Sequence, residues 1–470
     1  MEIQMQEEKF KAYNAKNIRE TVYWDKIPPD IQEAIIVVSH VLPFRVNEYV
    51  LRELIDWNNI PDDPIFRMTF PHKDMLSSEE YSQLKEAIEN NGSSQVDGYV
   101  NDIRNRMNPH PAGQLSHNVP LLDGKPVKGI QHKYKETVLF FPSSGQTCHA
   151  YCSFCFRWAQ FIGLEELKFN ARESSELVEY LKQHNEVTDI LITGGDPLIM
   201  NTKSLAAYIE PLLAPELSHI KNIRIGTKSV SYWPQRFVSD KDADDLIQLF
   251  EKIVGAGKSL SIMGHYNHPT ELNNEIAQQA VKRIIASGAT LRIQAPLIRH
   301  INENPKDWSK LWTLAVQLGA IPYYMFVERD TGPSSYFHIP LVKAYEIFRA
   351  AYKEVSGLAR TVRGPVMSTL MGKVLIDGVV NIAGEEVFVL QFLQARNPDW
   401  VRRPFFAKFD PNAVWLDDLK PAFGEKKFFF ETEDNQIEIT SKLISVMSIP
   451  SDFNVSVDGL MAKDMLHETR

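Results

Sequence analysis

The chain has 470 residues, 44% hydrophobic and 24% charged, the balance of a globular protein long enough for more than one domain. Its net charge of −9 and pI near 5.9 argue against a nucleic-acid partner, which would ask for a basic face. The acidic start from Met1 to Glu8 and the lack of a run of about 20 apolar residues predict neither a signal peptide nor a membrane span, and the 3 cysteines cluster instead of spreading as disulfide pairs, so a reducing cytoplasm is the expected home.

Residues 1–120 read as a mainly helical N-terminal region, broken by turn clusters at Asn90–Ser94 and Asn108–Gly113. From 121 to 377 short apolar runs alternate with helical stretches. The strand candidates are Val138–Phe141, Asp189–Thr193, Asn222–Gly226, Ser259–Met263, Thr290–Gln294 and Ile321–Met325. Recurrence at roughly 30 residues predicts successive β-α units and a partial or complete parallel barrel, an α/β fold. Residues 378–470 read as a small mixed or β-rich extension, with strands at Val387–Leu390 and Lys427–Phe430. Pro404, Pro411 and Pro421 limit its helices, and the last dozen residues are expected to be mobile.

Cys148, Cys152 and Cys155 are spaced C-x3-C-x2-C just after a strand candidate, where barrel enzymes keep their chemistry. Three thiolates at this spacing can hold three irons of a [4Fe–4S] cluster and leave the fourth open to a chelating small molecule. Zinc is the rival reading, but it wants a fourth ligand, and His149 is poorly placed beside Cys148. Gly194 and Gly195 follow the next strand and could let a ligand approach the backbone, or could simply turn the chain; Asp196 could assist or cap the following helix. His265 and His268 flank Asn267, a pairing more suggestive of a site than one histidine alone. Arg224 could serve a salt bridge or a ligand equally well.

With Phe154 before its last cysteine, the motif resembles the signature of radical S-adenosylmethionine (SAM) enzymes. Further segments, in order, resemble the lysine 2,3-aminomutase family over residues from about 45 to 377. They are Leu54–Asn59 with Asp62–Ile65, then Thr193–Leu198, Arg224–Lys228, Pro234–Arg236, His265–Pro269 and Gln294. The resemblance implies a radical SAM barrel that cleaves SAM reductively to a 5′-deoxyadenosyl radical, which takes a hydrogen from a small-molecule substrate. It implies that Gly194, Gly195, Asp196, Arg224, His265 and Gln294 lie around SAM, and that Arg157 grips the substrate's α-carboxylate, as a planar guanidinium can. It further implies a flavodoxin or ferredoxin-type electron donor, a homo-oligomer, and pyridoxal phosphate (PLP) held covalently by a lysine.

The likeness weakens at several positions. Where the family holds the distal ammonium of lysine with two aspartates, this chain has Arg329 and Arg363; a slip of one residue would substitute Asp330 for the first. Two arginines repel an ammonium and suit a carboxylate or phosphate, unless internal acids such as Glu328 pair with them. Lys373 is the PLP-lysine candidate, but the run before it, Pro365–Gly372, is mostly not glycine, and Lys373 could simply open the strand Val374–Ile376. Thr137 stands where the family places an arginine near the PLP phosphate. No cysteine remains for a C-terminal zinc site. The expected function is a radical SAM isomerase, aminomutase-like, acting on a substrate other than lysine. The alternatives are a PLP-independent radical SAM mutase, dehydratase or modifying enzyme, and a non-enzymatic iron–sulfur sensor.

Overall fold

The structure, a computed structural model, describes residues 9–90, 93–110, 118–163 and 167–432. Its centre is an 11-stranded sheet whose spatial order is the chain order. The strands are β1 (Ile130–Tyr134), β2 (Thr137–Phe140), β3 (Asp189–Ile192), β4 (Asn222–Thr227), β5 (Ser259–His265), β6 (Thr290–Leu297), β7 (Ile321–Val327), β8 (Arg363–Ser368), β9 (Gly372–Ile382), β10 (Glu385–Ala395) and β11 (Pro404–Lys408). β2 to β8 run parallel, and β1 and β9 to β11 extend the sheet antiparallel at its two edges. Helices Ser175–Gln183, Thr202–Ile209, Ala243–Gly255, Glu275–Ala286, Pro305–Gln317 and Leu341–Lys353 return the chain between successive parallel strands. Parallel neighbours need such crossovers.

Alternation along the strands separates two environments. On β6, Leu291, Ile293, Ala295 and Leu297 are buried against the surrounding helices, whereas Arg292, Gln294 and Pro296 are half-exposed and face a lumen. No ladder joins the sheet edges among the described residues. Side chains bridge the gap instead: the Lys133 amine of β1 donates to the Thr369 carbonyl in the turn after β8, and the Lys373 amine of β9 lies 4.8 Å from the centre of the Tyr134 ring. The result is a partial barrel.

The N-terminal region carries helices Pro29–Val38, Ser78–Glu89 and Ser93–Met107, and forms a second apolar core with the cysteine loop. β9 runs straight through residue 377, so the strands beyond it prolong the barrel sheet, and no boundary falls there; compact packing continues to Leu419. The segment from Lys420 is a separate unit. Within it, Lys427–Phe430 is not the expected strand: a helical turn covers 429–432, with the Phe428 and Phe430 rings stacked at 5.3 Å. An aromatic run this short fits either conformation. The tail expected to be mobile, and much of the predicted turn near 113, lie outside the described residues. No helix among those described is long and apolar enough to cross a membrane.

Candidate active site

The cysteine loop follows β2 and is clamped from the N-terminal region. Tyr151 and Ser153 donate their amides to the carbonyls of Arg45 and Met68 at 2.8 and 2.9 Å. Buried Asn47 donates to the carbonyls of His149 (3.3 Å) and Tyr232 (2.8 Å). Burial pushes all three thiols up, that of Cys155 to about 12. Among the described residues the only group of three or more His, Cys, Asp and Glu side chains whose ligand atoms all lie within 4.8 Å of one another is His110, Asp330 and Asp417. The three sulfurs are therefore spread wider than one tetrahedral ion asks, about 3.8 Å between thiolates. His149 is no fourth ligand: its Nδ1 meets the Ser229 hydroxyl at 3.0 Å and its ring stacks on Trp233. The donor set fits three corners of a four-iron cluster better than zinc. Tyr232, a residue with no sequence signal, brings its hydroxyl to 3.5 Å from the Cys152 sulfur.

The glycines after β3 serve a close approach, but to the chain itself. A Cβ on Gly195 would stand 2.5 Å from the Thr147 carbonyl oxygen, and one on Gly194 would stand 2.4 Å from the Gln146 amide nitrogen. The Gly195 amide already donates to the Gly145 carbonyl at 3.1 Å. These glycines seat the cysteine loop against the end of β3. The Asp196 carboxylate is likewise occupied. It accepts from the Thr227 hydroxyl and from the amides of Leu198, Lys228 and Ser229 at 2.7–3.0 Å, which caps one turn and ties down the segment after β4. Arg224 is held by Asp189, its Nε 2.8 Å from the carboxylate. Of the two uses weighed for Arg224, the structure displays the salt bridge.

Other residues face the lumen with capacity to spare. Register sets His265, Gln294, Tyr324 and Arg363 side by side on β5 to β8. His265 is half-buried, held neutral by desolvation, and its buried Nε2 lacks a hydrogen-bond partner. Arg157 lies 4.4 Å from the Phe141 ring centre with one long bond, 3.3 Å, to Gln146; its Nε is unpartnered, and burial brings its guanidinium down to about 10. Arg329 stands over Phe156 at 5.4 Å, also with an unpartnered Nε. Glu328 beside it is buried, and desolvation drives its carboxyl well up towards the neutral form; no ion pair joins the two. Asp330, the alternative under a slip of one residue, lies 3.3 Å from exposed His110 instead. Arg363 packs on Tyr323 and Tyr324, so the two arginines have different neighbours.

Two lysines meet where the barrel edges come together. Lys373 is half-buried, its amine 2.5 Å from the Gln394 Oε1, and desolvation, aided by Arg224 and Arg363, lowers it to about 7. Lys133 falls to about 6 by desolvation, with Arg329 and Lys373 adding to it. An amine lowered in this way beside an aromatic ring is a nucleophile suited to an aldehyde. Thr137, by contrast, donates its hydroxyl to Asp189 at 3.1 Å and supplies no cation.

No family model matches the chain. A provisionally named L-lysine 2,3-aminomutase of Aquifex aeolicus (strain VF5) is 32% identical over 415 residues, 88% of this chain and 97% of that protein. An L-lysine 2,3-aminomutase of Methanococcus maripaludis is 25% identical over 335 residues, 71% of this chain and 65% of its own. Among solved structures, Streptococcus suis SuiB overlaps 58% of this chain and 55% of its own, with a TM-score of 0.33 and 14% identity. The radical S-adenosylmethionine methyltransferase TsrM of Kitasatospora setae overlaps 45% of this chain and 43% of its own, with a TM-score of 0.27. Overlaps so slight carry no weight, and the barrel assignment rests on the strand order itself. Likeness to the Aquifex protein along nearly its whole length, joined to the three-cysteine loop at the mouth of a parallel barrel, makes this chain a radical SAM enzyme of the lysine 2,3-aminomutase family.

Proposed function

We propose that the chain is an aminomutase-like isomerase whose substrate is an amino acid with an acidic distal group. The observation that carries this is Arg329, which lies beside the cysteine loop and forms no ion pair among the described residues, at a position where a lysine-binding site would need an acid. A guanidinium without an ion pair suits an anion from outside the chain and repels an ammonium.

Cys148, Cys152 and Cys155 would hold the cluster, leaving one iron for SAM, with His265 and Gln294 turned towards it. When bound, the cluster would supply reducing chemistry towards SAM, with its electron received from a donor of the flavodoxin or ferredoxin type. Arg157 offers two parallel donors to an α-carboxylate. Lys373 and the Tyr134 face fit a pyridine aldehyde, and bound PLP would supply a π-system through which an amino nitrogen can migrate. The lumen residues exclude water and orient the substrate between Arg157 and the deeper cations.

The test is borohydride reduction of the PLP-incubated protein with peptide mass spectrometry across residues 360–378, then anaerobic turnover of L-glutamate, L-aspartate and L-lysine. A pyridoxyl adduct on Lys373 and isomerisation of an acidic amino acid are expected. Efficient turnover of L-lysine would sink the substrate reading. No adduct at all would leave a PLP-independent radical SAM enzyme.

A further inference from the structure

Beside and below His265 and Gln294 the lumen holds two arginines, Arg363 and Arg292, with which no acid among the described residues forms an ion pair. Arg292 precedes Gln294 by two residues on the same lumen-facing alternation of β6. Its guanidinium carbon is 5.3 Å from the centre of the Tyr323 ring, and that of Arg363 is 4.5 Å from the same centre. Among the described residues neither guanidinium makes a hydrogen bond or ion pair; each has only its aromatic contacts. Asp189, whose charge reaches Lys373, is already held by Arg224 through two contacts. The Lys373 amine adds to the cations that feel one another here.

Like charges converging on one ring repel, and the faces of tyrosines offset this only in part. Two guanidinium groups gathered on one ring suit an oxyanion bearing more than one charged oxygen. We infer that Arg292 and Arg363, both packed on Tyr323, form an anion-binding subsite in the barrel lumen for a phosphate or a second carboxylate. The inference deepens the proposed function and rests on it for the ligand's source, which is either the distal group of the substrate or the phosphate of PLP held at Lys373.

Inorganic phosphate is the first probe, titrated by calorimetry into the full-length chain. Wild type binds it, Arg292→Gln weakens binding about tenfold or more, and Arg292→Lys keeps most of it. Absence of phosphate binding, or binding that neither Arg292→Gln nor Arg363→Gln alters, overturns the subsite. Should Arg292→Gln fail to fold, Arg363→Gln takes its place under the same criteria. Two further arms separate the sources. Loss of PLP incorporation at Lys373 in Arg292→Gln, with pyridoxal incorporation unchanged, assigns the subsite to the cofactor phosphate. Weaker L-glutamate binding with unchanged PLP incorporation assigns it to the substrate. Absence of any adduct in wild type ends the aminomutase reading, yet a phosphate affinity that depends on Arg292 would still uphold the subsite.

Discussion

The cysteine-loop end of the barrel and the lumen beneath it treat buried charge in opposite ways. Around the loop the buried charges find partners inside the chain: Asp196 with three amides and a hydroxyl, Lys228 with Glu271 at 2.7 Å, and Arg236 with Asp242 at 3.0 Å. Facing the lumen, buried Arg157 and half-buried Arg292, Arg329 and Arg363 form no ion pair among the described residues. A satisfied network fixes geometry, whereas unsatisfied groups retain affinity for something else. The first region frames a site, and the second is where a ligand's charge belongs.

Substitutions test that division, and the largest effect is expected in the frame. Asp196→Ala strands buried amides of three residues and a hydroxyl at once. A loss of about 3–5 kcal/mol in unfolding free energy is expected, measured by urea denaturation. Asp196→Asn, which keeps one acceptor oxygen, should lose less. If Asp196→Ala unfolds like wild type but loses affinity for SAM, the carboxylate is a ligand contact and the frame reading of it fails.

Gly195→Ala comes next. Its methyl group would meet the Thr147 backbone at 2.5–2.6 Å, which a flexible side chain cannot relieve. A cost of about 2–3 kcal/mol is expected, together with reduced iron uptake on reconstitution, because the displaced segment leads directly into Cys148. Gly255→Ala, with open space around it, is the matched control and should change little.

Lys373 lies on the ligand side of the division, and pH tests it. Its ordinary value near 10.5 is lowered to about 7 in the fold, so the folded chain binds fewer protons there than the unfolded chain. Below pH 7 the lysine costs stability, and its contribution improves as pH rises from 7 towards the unfolded value. The amine becomes reactive over the same threshold. Trapping of PLP at Lys373 should rise about tenfold between pH 6 and 8 and then level off. A profile for Lys373 that keeps climbing steeply above pH 8 would mean the amine is not poised.

How much of this was legible in the sequence differs between the same two regions. The parallel strands were readable because apolar, branched runs recurred at the spacing of β-α units, and the cysteines because thiolates at that spacing have few uses. The partners of Asp196 were not readable: Thr227 to Ser229 lie more than 30 residues away and meet it only once β3 and β4 pair. Gly194 and Gly195 signalled a close approach without saying to what. Arg292 was accessible in principle, since it shares the alternation of Gln294, but an arginine in a strand carries no mark of being unpaired. The continuation of the sheet past residue 377 was hidden because antiparallel additions follow no crossover rhythm.

The smallest expected effect is also the sharpest discriminator. Arg363→Gln removes a cation that makes no hydrogen bond among the described residues and shares the Tyr323 ring with Arg292, with aromatic contacts alone to lose. Removing it relieves repulsion while forfeiting about 1 kcal/mol of ring contact, so the unfolding free energy should move by less than about 0.5 kcal/mol in either direction. Were Arg363 part of the frame, as Asp196 is, the same change would cost several times that. A near-silent Arg363→Gln in thermal unfolding, combined with impaired binding of an acidic amino acid or phosphate, would separate residues that hold the barrel together from residues kept, at some cost to it, for a ligand. A strongly destabilised Arg363→Gln would return the arginine to the frame, leaving Arg292 and Arg329 to account for the positive lumen.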